Sequence, residues 1–415
     1  MKIEDHGRQR VRILHVQLFP MLSGVQRVSL EELRRLDPDV FDRHLLTCEP
    51  GPLSETATEL GVTCHYEPRL KRSISPLNDF RTYQRLRELM RRERFDIVHT
   101  HSSKTGVLGR MAASAAGVPY VIHTVHGFAF PAARYPAVRR FYQWCEKRCG
   151  RMTHALICLN PDDRQIAIDE LEVDPGRVHL IANGVDVQAF QPIENDEVRK
   201  AERLRRLGGD PERPVVMMVG RLWNQKKPIL FVQAAIQLIQ NGCPAEFYLA
   251  GEGGLRSELE QAITEAGLAD RIHLLGWRDD VAELVPLADA IVLPSLWEGM
   301  PIVLLEAHAC GVPIVASDIP GNRECVIDGV DGYLVPKNDL ESLSERIARL
   351  VNDPALCRSF GQAGRNKIVE RFGIAHRQTA IEALYSQLLG KRGGQSAVGS
   401  RQSAVGNKEK VGIGR

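Results

Sequence analysis

Glu298 and Glu306 stand eight positions apart, with a glycine, a proline and an apolar run between them. The segment reads Leu293-Pro294-Ser295-Leu296-Trp297-Glu298-Gly299-Met300-Pro301-Ile302-Val303-Leu304-Leu305-Glu306. A buried strand is expected to end at Leu293, and Pro301 is placed to open a helix, where its missing N–H costs nothing. Gly299 lets the backbone approach a ligand closely. The free amides of Met300, Ile302 and Val303 at such a helix start would face an anion. The two carboxylates flanking it could accept hydroxyl hydrogen bonds from a sugar and a ribose. The plain alternative is two surface charges, and the apolar run beside Glu306 argues against it.

A second segment, Gly220-Arg221-Leu222-Trp223-Asn224-Gln225-Lys226, also follows a predicted strand. Arg221 and Lys226 are close enough along one loop to converge on a diphosphate. A guanidinium and an ammonium there would neutralise a departing phosphate without a metal ion. Taken alone, a solvated basic loop would look the same. Gly251 and the run Gly276-Trp277-Arg278 end further strands, where backbone groups could cradle a nucleotide base or simply make tight turns. In the first half, Gly24 follows the first strand and could pass close to a sugar or phosphate, or belong to an ordinary strand–helix turn. His123 and His126 stand at a strand end with two residues between them and no third ligand apparent, so no metal site is expected. His126 is assigned a polar contact to a transferred sugar. His99 and His101, alternate residues of a predicted strand, carry less weight.

These residues need a scaffold that brings strand ends together. Short Val/Ile/Leu runs alternate with amphipathic helical stretches along all 415 residues. Strands are expected at 11–16, 44–47, 62–65, 96–100, 120–124 and 155–159. A second set is expected at 215–220, 246–251, 272–276, 290–294, 313–317 and 332–335. Continuous apolar runs suit strands buried on both faces of a parallel sheet. Two such sets imply an α/β protein of two doubly wound, Rossmann-like domains facing across a cleft. The predicted division is 1–190, 191–372, a helix over 373–390 returning to the first domain, and a tail at 391–415. That tail repeats Gln395-Ser396-Ala397-Val398-Gly399 as Gln402-Ser403-Ala404-Val405-Gly406 and is expected to be disordered. Nine scattered cysteines without a CxxC pair read as reduced thiols. No apolar run is long enough to span a bilayer, and 1–12 lacks the apolar core of a secretory signal, so a cytoplasmic location is expected.

Together these pieces resemble the retaining GT-B glycosyltransferases of family 4, the "glycosyl transferases group 1" class, over nearly all of 11–389. Glu298 to Glu306, followed by Gly311-Val312-Pro313-Ile314-Val315-Ala316, is similar to that family's paired-glutamate signature. Gly220-Arg221 with Lys226 is similar to its diphosphate clamp, although Lys227 stands where glycine is usual. Pro320-Gly321-Asn322 and Asp331-Gly332-Tyr333-Leu334-Val335 match two further loops. The resemblance implies that Glu298 contacts the donor sugar and Glu306 the ribose. It implies no cofactor, and a same-face transfer with no carboxylate acting as covalent nucleophile. Thr100-His101-Ser102-Ser103-Lys104 and 123–128 are most similar to exopolysaccharide, capsule and O-antigen enzymes. Those extend lipid-diphosphate-linked glycans, usually from UDP-hexoses or UDP-N-acetylhexosamines. The competing readings are a sugar-nucleotide epimerase of the same fold and a silent nucleotide-sugar-binding scaffold. The intact Arg221/Lys226 and Glu298/Glu306 pairs count against both.

Net charge is +2, so the whole chain exerts no attraction on nucleic acid. Between Arg69 and Arg151, however, seventeen lysines and arginines face five acidic residues. Two predicted helices, 78–94 and 136–151, carry much of this excess, and the second holds Phe141, Tyr142 and Trp144. Basic helices with aromatic residues suit an anionic membrane surface. No nucleic-acid motif accompanies the charge, so nucleic acid is not an expected partner.

Overall fold

A computed structural model describes residues 10–128, 130–133, 135–193 and 197–405. Arg134 of the basic stretch lies outside them. Seven strands form the first sheet: β1 (Val11–Val16), β2 (Phe41–Thr47), β3 (Thr63–Tyr66), β4 (Ile97–His101), β5 (Tyr120–Val125), β6 (Ala155–Cys158) and β7 (Val178–Leu180). Six form the second: β8 (Val215–Val219), β9 (Glu246–Ala250), β10 (Ile272–Gly276), β11 (Ala290–Leu293), β12 (Ile314–Ser317) and β13 (Gly332–Val335). The spatial orders are β3-β2-β1-β4-β5-β6-β7 and β10-β9-β8-β11-β12-β13. All named pairings are parallel. Strand order reverses at β1/β4 and at β8/β11, where ligands of such sheets bind beyond the carboxyl ends.

Alternate residues along each strand face opposite layers, so each sheet carries two cores. In the first domain, Ile13, Ile97 and Ile122 face one side, and Leu14, Val98 and Val121 the other. In the second, Met217 and Ile291 oppose Val216 and Val292. Most strand boundaries match expectation within a residue or two. β2 starts earlier than 44 because Phe41 pairs with Val11. β7 escaped notice because it has three residues and only Val178 is buried.

The chain crosses between domains twice, side by side. Val185 N–H donates to the Phe372 carbonyl and Ile374 N–H to the Val185 carbonyl, both at 2.9 Å. A Cβ on Gly184 would lie 2.8 Å from Ile374 Cα, so the passages touch because one residue there lacks a side chain. Val185 and Phe190 already pack into the second domain's core. The returning helix, Ile374–Val405, places Ile381, Leu384, Tyr385 and Leu388 in a core of the first domain. There Arg377 and Glu32 form a buried ion pair at 2.5 Å.

The helix Ile374–Val405 continues past residue 390 into the repeat. Residues 406–415, the remainder of the expected tail, lie outside the described residues. Among the described residues, no helix is long and apolar enough to cross a membrane.

Candidate active site

The two switch points face each other across a cavity of about 560 Å³. Every site residue assigned from sequence lines it: Gly24, His126, Gly220, Arg221, Lys226, Gly251, Trp277, Arg278, Glu298, Gly299, Met300, Ile302, Val303 and Glu306.

β11 ends at Leu293, and the helix Ile302–Ala309 begins after Pro301. The intervening loop is held from several directions. Leu296 N–H donates to the Gln225 carbonyl at 2.8 Å, and Gln225 Nε2 donates to the Trp297 carbonyl at 2.9 Å. From the first domain, Asn160 Nδ2 donates to the Gly299 carbonyl at 2.7 Å and Asn183 Nδ2 to the Met300 carbonyl at 2.8 Å. Three glycines make the approach possible. A Cβ on Gly299 would lie 2.6 Å from the His126 carbonyl carbon and 2.7 Å from Gly127 N. One on Gly321 would lie 2.5 Å from the Glu298 carbonyl oxygen. Gly127 itself has φ +90°.

Backbone cannot swing aside as a flexible side chain can. Gly299→Ala is therefore expected to push the domains apart locally and to lower kcat roughly 10²-fold, as ångström-scale misplacement does. The accompanying loss of stability is about 1–3 kcal/mol, an overpacking cost. Steady-state kinetics and thermal unfolding measure both, and wild-type kcat in this variant would refute the close-contact reading.

Lys226 Nζ pairs with Glu298 Oε1 at 2.6 Å. The Arg221 guanidinium lies 4.2 Å from the Trp223 ring centroid, and Arg72 of the first domain lies 3.9 Å from the same centroid. One indole thus separates two like charges across the cleft. Burial, with the Arg72 charge adding to it, lowers the Arg221 pKa from its ordinary value. The arrangement favours arrival of an anion. Glu306 is buried, with Arg27 of the first domain 3.5 Å away. Burial pushes its carboxyl up to about 7, against the opposing pull of Arg27.

Gly251 is needed twice over: its φ is +149°, and a Cβ would fall 1.9 Å from the Gly220 carbonyl oxygen. The ends of β8 and β9 therefore meet backbone to backbone. The Trp277 indole N–H donates to Asp279 at 2.8 Å, and Arg278 Nε donates to Asp280 at 2.8 Å, so both side chains are held by their neighbours. Gly24 begins the helix Gly24–Arg35 and faces Ile302 Cδ1, which its Cβ would approach to 3.8 Å. Lys227, at the position where the family favours glycine, has φ +52°, the left-handed conformation glycine adopts freely.

His126 is the outer member of a histidine array. Its Nε2 contacts His101 Nδ1 at 3.2 Å, and His101 Nε2 contacts His15 Nδ1 at 3.2 Å. His99 Nδ1 contacts the Tyr385 hydroxyl at 2.7 Å. Burial holds His15 and His126 down to about 3, so these rings are neutral and suited to mutual hydrogen bonding. His15, Glu32, His99 and His101 offer atoms within 4.8 Å of one another, a grouping with metal-ligand potential that sequence did not anticipate. Their existing partners include Ser29 for His15 at 2.9 Å, Thr124 for His99 at 2.8 Å, and Arg377 for Glu32. His123 is buried and contacts Thr100 Oγ1 at 2.9 Å.

Asn160, Asn183, Arg72 and Trp223 were not assigned to the site from sequence. Asn160 caps the helix Pro161–Asp169, accepting from Asp163 N–H at 2.7 Å. Its Nδ2 donates to the Gly299 carbonyl, 139 positions away, a contact that leaves no local signal.

Two parallel-sheet domains facing across such a cleft, with these paired glutamates and basic loop, define a glycosyltransferase of GT-B architecture. The chain belongs to the glycosyl transferases group 1 family, whose description matches residues 200–367, with "Glycosyl transferase 4-like domain" matching 23–184. A UDP-Gal:alpha-D-GlcNAc-diphosphoundecaprenol alpha-1,3-galactosyltransferase of Escherichia coli is 42% identical, covering 92% of this chain and 98% of its own. The putative glycosyltransferase EpsD of Bacillus subtilis is 30% identical, covering 77% and 84%. Among solved structures, Anabaena HepE in complex with UDP and glucose superposes with a TM-score of 0.77 at 19% identity, covering 91% of this chain and 100% of its own. Sucrose-phosphate synthase of Thermosynechococcus elongatus gives 0.76 at 22%, covering 92% and 100%. These two likenesses establish the fold.

Proposed function

We propose that the protein transfers a hexose or N-acetylhexosamine from a UDP-sugar to a lipid-diphosphate-linked saccharide, retaining the anomeric configuration, during synthesis of a bacterial surface polysaccharide. The observation that carries this reading is the convergence of Arg221, Lys226, the 302–309 helix start and both glutamates on one cleft. The kinship with the undecaprenol-dependent galactosyltransferase supports the acceptor. In this reading Arg221, Lys226 and the amides of Met300, Ile302 and Val303 hold the nucleotide diphosphate. Glu306 takes the ribose hydroxyls, and Glu298 and His126 contact the sugar. Gly220, Gly251, Trp277 and Arg278 border the base, and Gly24 admits the phosphate end. The acceptor oxygen bonds to the anomeric carbon as the bond from that carbon to the phosphate oxygen breaks. The departing phosphate oxygen takes the acceptor proton, so no dedicated base and no metal ion are required.

The acceptor's lipid anchor sets the place of work. The helices Pro76–Glu93 and Pro136–Gly150 expose Leu77 (79%), Phe80 (59%) and Trp144 (63%). Arg81, Arg85, Arg91 and Arg92 lie along the first of them. Apolar side chains among arginines suit peripheral attachment to the anionic cytoplasmic leaflet.

The test combines candidate UDP-sugars with N-acetylglucosaminyl diphosphate lipids, with and without EDTA. The expected result is UDP release matched by sugar transfer in both. UDP released without transfer, or strict dependence on Mn²⁺, would overturn the reading. Binding to anionic vesicles is expected to fade at high salt, and equal binding to neutral vesicles would remove the membrane part.

A further inference from the structure

The geometry points to a polyprenyl-binding groove in the first domain, continuous with the donor cleft, that takes the first isoprene units of the acceptor's lipid. This rests on the lipid-linked acceptor proposed above. The cavity holding the donor residues extends between the helices Ser103–Ala116 and Pro136–Gly150. Val107 and Leu108 line it from the first helix, Phe141 and Tyr142 from the second, and Phe128 and Phe130 from the segment after β5. Phe128 and Phe130 are buried, so this wall is fixed by packing. Glu146 also lines it, but Arg110 holds it in a buried ion pair at 2.6 Å.

The order of the chemistry matches the order of such an acceptor. Arg72 stands at the donor side, stacked on Trp223. Lys104 lines the same cavity, its ammonium 2.6 Å from Asp79 Oδ1. Val107 and Leu108 follow Lys104 by about one helical turn, roughly 5.4 Å, in the direction leading away from the end of β4. Cations for a diphosphate are thus succeeded by hydrocarbon walls. The walls end at Ile74 and Phe141, which line the cavity and are also 56% and 49% exposed. Ile74 directly precedes the helix Pro76–Glu93 and Phe141 lies on Pro136–Gly150, the two helices that carry the aromatic, arginine-rich surface. A chain threaded along this path would leave its head group at the cleft and its remaining length at the membrane.

Two soluble acceptors test this: N-acetylglucosaminyl diphosphate bearing a farnesyl chain, and the same head group bearing ethyl. The wild-type protein is expected to show a KM at least tenfold lower for the farnesyl acceptor. Val107→Asp and, separately, Phe141→Ser should raise that KM about tenfold while leaving kcat and the ethyl acceptor's KM unchanged. Phe141 is half exposed, so its variant keeps the fold, which thermal unfolding verifies. Active transfer with equal KM for both acceptors, or variants that alter both alike, would overturn the groove and leave the proposed function standing. Transfer to neither would overturn the acceptor assignment and the groove with it.

Discussion

Replacing Lys226 with methionine is expected to lower kcat roughly 10²–10³-fold, the effect of losing one preorganised stabiliser of developing charge. In the proposed transfer, negative charge appears on the departing diphosphate, and Lys226 and Arg221 are the cations of that loop. The change has a second consequence, because Glu298 loses its partner at 2.6 Å in a nearly enclosed position. A carboxylate left buried and unpaired costs about 3–5 kcal/mol. The two effects separate in the double variant Lys226→Met/Glu298→Gln, which should recover most of the lost stability and none of the lost rate. Rapid-quench kinetics and thermal unfolding on the three proteins would show this. Recovery of the rate in the double variant would place the role of Lys226 in folding and remove it from the chemistry.

Glu306→Gln carries the second large expectation. The glutamine keeps the shape but removes a charged acceptor, and hydrogen bonds to charged groups contribute about 1.5–3 kcal/mol. The KM for the donor should rise about 10–100-fold with little change in kcat, since the ribose contact is made equally in the ground and transition states. The pH dependence has a definite sign. The folded carboxyl is raised from 4.5 to about 7. Between those values the folded state keeps a proton that the unfolded chain gives up, so stability falls as pH rises through the window. The fall amounts to something on the order of 3 kcal/mol at most. The glutamine variant should lack it and be more stable than wild type at pH 8. Donor affinity should show the opposite trend in wild type, rising as Glu306 ionises near pH 7, and be flat in the variant. A wild-type donor KM that does not change between pH 6 and 8 would contradict the buried-carboxyl account.

Much of this site was legible because its residues announce themselves locally. Glu298, Gly299, Pro301 and Glu306 lie on one strand–loop–helix unit, and Arg221 and Lys226 on one loop, so spacing alone suggests a shared ligand. Continuous apolar runs gave both sheets for the same reason. What escaped notice was non-local. Asn160 and Asn183 act on a loop more than a hundred positions away. Trp223 acquires its place from Arg72, which reaches it only through the facing of two domains. His15, His99 and His101 are adjacent because β1 and β4 are neighbours, an outcome of strand order that no single strand records.

The returning helix has a bearing on how the molecule is made. Ile381, Leu384, Tyr385 and Leu388 complete a core whose other members, such as Ile13, Leu33 and Leu45, lie near the start of the chain. At synthesis speeds of roughly 5–20 residues per second, the first sheet leaves the ribosome tens of seconds before these side chains exist. During that interval its apolar face stays open to solvent and to other nascent chains. The domain begun first is thus the one finished last. It reaches its native core only with the second domain already translated, so a chain cut short beyond residue 373 would leave the donor half folded and the acceptor half a substrate for chaperones.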